Sequence, residues 1–68
     1  MVSKFTPTEK RIINLLYVAH RPLTTKQISE KLGVAWKTAK DNLMSLHKKG
    51  YVNMEDLENR IYWWLKAK

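Results

Sequence analysis

The 68-residue sequence has no cysteine, only two glycines and two prolines, and few acidic residues. Without cysteine, neither a disulfide nor a thiolate metal site is available, and this composition fits an intracellular protein. No apolar run approaches the ~18 residues that a membrane helix needs. The first seven residues contain no apolar block of the signal-peptide kind. We therefore expect a cytoplasmic protein with no membrane partner.

Positive charge is what the sequence has in excess. Thirteen Lys and Arg residues stand against six Asp and Glu, which gives a net charge of +7. Residues 1–33 carry +4 and residues 34–50 carry +3, whereas residues 51–65 carry −2 and the tail adds +2. A plain solubility role is one explanation, but the uneven distribution favours a polyanionic partner. The length fits a single domain over residues 1–68.

Two capping signals predict the first two helices. Thr6 with Glu9 has the capping-box spacing, Pro7 suits the first helical position, and Pro22 ends the segment, so we predict a helix over about 7–19. Its apolar stripe is widened by Ile13 and Tyr17 in this prediction. Thr24 and Gln27 repeat the capping box and predict a second helix over about 25–32.

The third helix is predicted over about 36–49, between Gly33 and Gly50. Its apolar stripe consists of Ala39, Leu43 and Leu46. The opposite stripe is predicted to face outward and consists of Lys37, Asp41, Met44 and Lys48, with Lys40 beside it. Two helices separated by so short a turn suggest a helix-turn-helix, whose second helix lies in the DNA major groove.

After Gly50 the apolar period changes to two, which predicts a β-hairpin over about 51–65. The polar segment 55–59 is predicted to form its turn. Alternation predicts Val52, Ile61, Trp63 and Leu65 to face the helices. Tyr62 and Trp64 then point away.

Three segments, T-P-T-E-K-R-I-I-N-L-L, P-L-T-T-K-Q-I-S-E-K-L-G-V and W-K-T-A-K-D-N-L-M-S-L-H-K-K-G-Y-V, resemble the winged helix-turn-helix family. The chain is most similar to small MarR-, ArsR- and BlaI-like bacterial or archaeal regulators. The resemblance implies an α+β, mostly α fold: a three-helix bundle followed by a C-terminal β-hairpin wing. It further implies a sequence-specific double-stranded DNA-binding protein, a transcriptional regulator such as a repressor, associated with the nucleoid.

Nothing in the sequence predicts catalysis. His20 and His47 are the only imidazoles, and both are interpreted as structural. There is no glycine-rich phosphate loop, and the crowded acidic residues fall on a predicted turn. We therefore expect no enzyme activity, no metal, no cofactor and no small-molecule substrate.

The predicted DNA-binding residues lie at the starts of the second and third helices. They are Thr25, Lys26, Gln27, Trp36, Lys37, Thr38, Lys40, Asp41 and, in the wing, Arg60. Lys37 and Lys40 have the chemistry to donate to guanine, and Asp41 to accept from cytosine, orient Lys37 or repel phosphate. Trp36 either packs or contacts a thymine methyl group or a sugar. Thr38 and the second helix's first turn would contact phosphates, and Lys48 and Lys49 would reach distant phosphates or none.

The wing departs from the family pattern, because its tip carries Glu55, Asp56 and Glu58 with Arg60 as the only cation. A cationic minor-groove probe is therefore not expected, and Arg60 is given a phosphate contact at most. Tyr62 and Trp64 are predicted to form a homodimer interface, and the alternative for Trp64 is packing under the first helix. Two alternatives remain open: a protein–protein module of a larger assembly, and a sequence-neutral architectural DNA-binding protein.

Overall fold

The computed structural model describes residues 5–66. Its helices are α1 (Pro7–Ala19), α2 (Thr25–Leu32) and α3 (Trp36–Lys48), and its strands are β1 (Leu23–Thr24), β2 (Val52–Leu57) and β3 (Arg60–Leu65). Three helices followed by an antiparallel hairpin confirm the predicted winged-helix fold. Lys68 of the basic tail lies outside the described residues.

Reciprocal capping fixes the starts of the first two helices. The Glu9 backbone N–H donates to the Thr6 hydroxyl at 3.1 Å, and the Thr6 N–H donates to Glu9 Oε1 at 2.9 Å. Thr24 and Gln27 make the same two bonds at 3.1 and 2.9 Å. Each box satisfies backbone donors that a helix N-terminus otherwise leaves unpaired. By contrast, the N-cap residue of α3 is Ala35, which makes no side-chain capping bond.

The sheet has the order β1-β3-β2, and all its neighbours are antiparallel. The prediction of a five-residue turn was wrong, because β2 continues to Leu57 and only Glu58 and Asn59 form the turn. Both have positive φ, 49° and 67°, as type I′ hairpin turns require. The two-residue turn lets Leu57 pair with Arg60, so that the strands remain hydrogen-bonded to their ends.

A single core joins the helices to the sheet. Its buried hydrophobic residues are Ile12, Leu16, Leu23, Ile28, Ala39, Leu43, Leu46, Val52 and Trp63. Trp63 is the largest of the fully buried side chains, and its strand pairs with both β1 and β2. The predicted inward positions of α3 and of Val52 and Trp63 are therefore confirmed, while Ile61 and Leu65 are partly buried against this core.

Two side chains, Tyr17 and Met44, do not have the burial that was predicted from their helix faces. Tyr17 is 66 % exposed, because it lies about 140° around α1 from the buried Ile12. Met44 is not fully outward but packs against the core, because its long, flexible side chain reaches back from about 100° beyond Leu43.

Candidate nucleic-acid interface

The turn between α2 and α3 sets the angle of the third helix. Gly33 ends α2 with a φ of 70°, a left-handed conformation that favours glycine. The N–H of Gly33 donates to the Glu30 carbonyl at 3.3 Å, and the N–H of Val34 donates to that of Ser29 at 3.1 Å. These bonds hold the turn short, so α3 starts immediately beside the end of α2.

An open groove of about 610 Å³ lies between the starts of α2 and α3 and the strand β3. Six of the nine predicted DNA-binding residues line it: Thr25, Lys26, Gln27, Trp36, Lys40 and Arg60. Tyr62 also lines this groove. The fold thus brings together residues that are 34 positions apart in the sequence, from Lys26 to Arg60. Cations of a helix-turn-helix and of a wing share one concave surface.

Trp36 lies at the first position of α3 and is 49 % exposed, so it is not part of the core. The Lys40 ammonium lies over its indole ring, 5.1 Å from the centroid. This spacing of four residues places both side chains on one face of the helix, and the cation–π contact holds them together. Between the two interpretations of Trp36, packing into the core is excluded.

The remaining candidates on α3 stay on the solvent side. Lys37, Thr38 and Asp41 are exposed and do not line the groove. No salt bridge joins Lys37 to Asp41 within residues 5–66. Orientation of Lys37 by Asp41, one of the three roles considered for that carboxylate, is therefore not seen.

Thr25 was predicted to help fix the DNA backbone, but its side chain faces the protein interior. Its side chain is only 3 % exposed, and its hydroxyl accepts a 2.7 Å hydrogen bond from Trp63 Nε1. The first turn of a helix that rests on a sheet has one side turned inward, and Thr25 lies on that side. Gln27 uses Oε1 for the capping bond to the Thr24 N–H, which leaves its amide nitrogen to contact a phosphate.

Helix α1 braces α3 at two points. The Thr6 hydroxyl donates to Asn42 Oδ1 at 3.2 Å, while Asn42 Nδ2 donates to the Thr38 carbonyl at 2.8 Å. At the far end of α3, Lys49 Nζ lies 3.0 and 3.3 Å from the two carboxylate oxygens of Glu9. Lys49 therefore forms an ion pair within the fold, which favours the alternative in which it contacts no phosphate.

The Glu9 carboxylate is almost fully buried. Burial by itself raises the pKa of this group, but hydrogen bonds from Ser45, the Thr6 backbone and Lys49, with the charge of Lys49, outweigh it. The pKa of Glu9 therefore lies below its ordinary value of 4.5. Sequence reasoning found the capping role of Glu9 and missed this partnership, since no local pattern links positions 40 residues apart.

The wing tip is acidic and open to solvent. Glu55, Asp56 and Glu58 are all exposed, as is Arg60 on the neighbouring strand. Arg60 lines the groove, whereas those three carboxylates do not. Arg60 therefore lies at the groove, and the three carboxylates of the wing tip lie outside it.

A second surface lies on the outer face of the sheet beside the end of α1. It has two hollows of about 570 and 300 Å³, and the residues shared by both are Arg21, Pro22, Glu55 and Trp64. Tyr17 borders the larger hollow, and Leu57 and Tyr62 border the smaller. Tyr62 and Trp64 are half-buried here.

The two histidines lie apart from the groove and from each other's contacts. His47 packs edge-on to Trp63 at 6.4 Å between ring centroids, and His20 ends α1 with a φ of 57°. Between residues 5 and 66, no group of three His, Cys, Asp or Glu side chains is arranged to hold a metal ion. None of the helices in that range has the length and apolar character to cross a membrane.

Solved structures with the same fold are similar to this chain. The PcaV transcriptional regulator from Streptomyces coelicolor, solved with its natural ligand, has a TM-score of 0.86 at 22 % identity, covering 98 % of this chain and 50 % of that one. Lactococcus lactis ZitR, a zinc-responsive MarR family member, has a TM-score of 0.83 at 21 % identity. The match covers 98 % of this chain and 47 % of that one. A homodimeric winged helix-turn-helix DNA-binding domain from Mycobacterium bovis, described as a possible ArsR-family transcriptional regulator, has a TM-score of 0.78 at 25 % identity. The match covers 88 % of this chain and 54 % of that one.

The chain thus spans about half the length of these structures. No curated protein matches it. These neighbours confirm the winged-helix fold that the resemblance to MarR and ArsR regulators implied. The model of the family described as "Sugar-specific transcriptional regulator TrmB" matches residues 4–68. The chain therefore belongs to the TrmB family of transcriptional regulators.

Proposed function

We propose that this chain binds double-stranded DNA in a sequence-specific manner, with α3 in the major groove. The observation that carries the proposal is the groove that the exposed Trp36 shares with three cations, Lys26, Lys40 and Arg60, and with one carboxylate, Glu30. Positive charge around a helix that starts at the surface is the electrostatic footprint of a duplex-binding protein. An enzymatic role has no comparable support, so we propose a non-enzymatic regulator.

In this proposal, residues of the groove and of the exposed side of α3 make different contacts with DNA. Lys26 and Gln27, at the start of α2, contact phosphates and fix the register, helped by the helix dipole. Lys37 and Lys40 reach guanine edges, and Asp41 accepts from a cytosine amino group or repels phosphates. Thr38 and Arg60 add phosphate contacts.

The test is selection of preferred duplexes from a random-sequence pool, followed by a salt titration of the selected duplex. With ~4–6 phosphates neutralised, log Kd against log salt concentration changes with a slope magnitude of ~4–5. Equal affinity for the selected and for random duplexes would favour the architectural alternative. No affinity for DNA, together with capture of a protein partner whose binding is insensitive to salt, would favour the interaction module.

We also propose that the chain acts as a homodimer through the outer sheet face. Arg21 and Glu55 border both hollows there, and no salt bridge joins them within the described chain. A twofold axis that places Arg21 of one copy opposite Glu55 of the other, across the Trp64 rings, would make this surface self-complementary. The homodimeric state of the Mycobacterium bovis domain supports a dimer, and two copies match palindromic half-sites about one helical turn apart.

The regulatory role, the location and the domain organisation are proposed on the basis of the DNA partner. We propose a repressor that acts in the cytoplasm on the nucleoid, built as one domain over residues 1–68. The absence of a small-molecule substrate and of a cofactor stays a prediction, as does the absence of a membrane partner.

A further inference from the structure

We propose that Trp36 is a specificity-determining residue that reads the 5-methyl group of one thymine. This inference rests on the DNA binding proposed above and adds the base that α3 selects. Its starting point is an exposed indole at the first position of α3, in a groove that is also lined by Lys26, Lys40 and Arg60.

The indole is held in place without being covered. Lys40 Nζ lies 5.1 Å from the ring centroid, which restrains the ring from one side. Even so, 49 % of Trp36 remains exposed. A large aromatic surface that is fixed and open is ready to bind, because little conformational entropy is lost when a partner covers it.

The charges around Trp36 identify the partner. Lys26, Lys40 and Arg60 line the same groove and outnumber its one carboxylate, Glu30. An apolar protein partner would have to desolvate all three cations. A duplex brings phosphates for these cations, so their burial is compensated. The occupant of the groove is therefore nucleic acid, and the indole meets whatever hydrocarbon the duplex presents there.

Thymine supplies that hydrocarbon. Among the four bases, only thymine carries a methyl group on the floor of the major groove. The other base edges there present hydrogen-bond donors and acceptors that an indole face cannot match. Lys37, one position further along α3, is exposed and has the chemistry to donate to a guanine beside this thymine.

The experiment replaces each thymine of the selected duplex by uracil in turn, which removes one methyl group and leaves base pairing intact. For the wild-type protein, one position should weaken binding about fourfold, the loss expected for one buried methyl group. Trp36→Ala should bind the thymine and uracil duplexes equally. Trp36 is outside the core, so this variant should keep the wild-type circular dichroism spectrum and thermal midpoint.

Lys37→Ala is the matched control from the same turn of α3. It should bind both duplexes more weakly and keep the fourfold thymine-to-uracil ratio. A uracil scan without any sensitive position, as expected if the indole contacts only a sugar, overturns the inference and leaves DNA binding intact. So does a sensitive position that persists in Trp36→Ala. Failure of the wild-type protein to bind any duplex overturns the proposed function itself.

Discussion

The indole N–H of Trp63 donates a 2.7 Å hydrogen bond to the hydroxyl of Thr25, and both side chains are buried. The bond joins β3 of the wing to the first turn of α2, which borders the groove. It also gives the indole nitrogen of the core's largest side chain its partner, a requirement for a polar group away from water.

Replacing Thr25 by valine keeps the shape of the side chain and removes the acceptor. The Trp63 N–H is then left unsatisfied, which should lower the free energy of unfolding by about 1–3 kcal/mol. Thr25→Ser, which keeps the hydroxyl, is the control, and urea denaturation followed by fluorescence is the measurement. Equal midpoints for the valine and serine variants would contradict this account of the bond.

The Glu9–Lys49 pair predicts a dependence of stability on acid pH. Because the pKa of Glu9 is lowered in the folded state, its contribution is complete above the pKa of the unfolded chain and is lost as pH falls through the folded pKa. The free energy of unfolding of the wild-type protein should therefore decline below about pH 4.5. In Glu9→Gln this decline should be shallower. Parallel curves for the two proteins would assign the acid sensitivity to other carboxylates.

Removal of the cation tests the same pair at neutral pH. Lys49→Met leaves the buried Glu9 carboxylate without its ion-pair partner, which should cost about 1–3 kcal/mol in the free energy of unfolding. Combining it with Glu9→Gln should recover part of this loss, because no uncompensated charge remains. Additive effects in the double variant would mean that the two groups do not interact.

Lysines at the two ends of α3 should differ in their effect on DNA binding. Lys37→Ala and Lys40→Ala each should lose about 1–3 kcal/mol of affinity for the selected duplex if they contact bases. Lys48→Ala removes the same charge from the same helix about two to three turns away and serves as the control, with little loss expected. Filter binding at fixed salt measures all three, and an identical loss in each would indicate a general charge effect in place of base contacts.

The acidic wing tip should weaken attraction to the duplex. If the wing approaches the phosphates, Glu58→Lys should raise DNA affinity at low salt and progressively less at high salt, because ions screen exposed charges. Glu58→Gln should give a smaller rise. Unchanged affinity in both variants would mean that the wing tip stays away from DNA.

The proposed dimer predicts a charge-swap result. Arg21→Glu or Glu55→Arg alone should place like charges opposite each other and shift the protein towards monomer, whereas the double variant should restore attraction and the dimer. Lys10→Glu, an equal charge change at an exposed position of α1 that borders neither hollow, is the control. Multi-angle light scattering at micromolar concentration decides, and a strictly monomeric wild-type protein would remove the proposal.

Local patterns in the sequence carried much of the fold. The two capping boxes are formed by neighbours three residues apart, so Thr6 with Glu9 and Thr24 with Gln27 were readable before any tertiary contact was known. The alternation that turns Trp63 inward is equally local. The wing turn was misread because polar composition does not distinguish a loop from a strand that continues to a two-residue turn at Glu58 and Asn59.

By itself, therefore, the sequence determined which segments become helices and strands, and which of their faces are apolar, because these properties depend on neighbours within one or two turns. Only the tertiary structure decided which polar groups remain available to a ligand. Thr25 and Lys49 were read as surface groups, but the fold gives them Trp63 and Glu9 as partners, each about 40 residues away in the chain. Trp36 received no place in the core and stays exposed beside Lys40. The reason is that burial and partnership depend on how elements pack across the whole chain, a relation that no local spacing encodes.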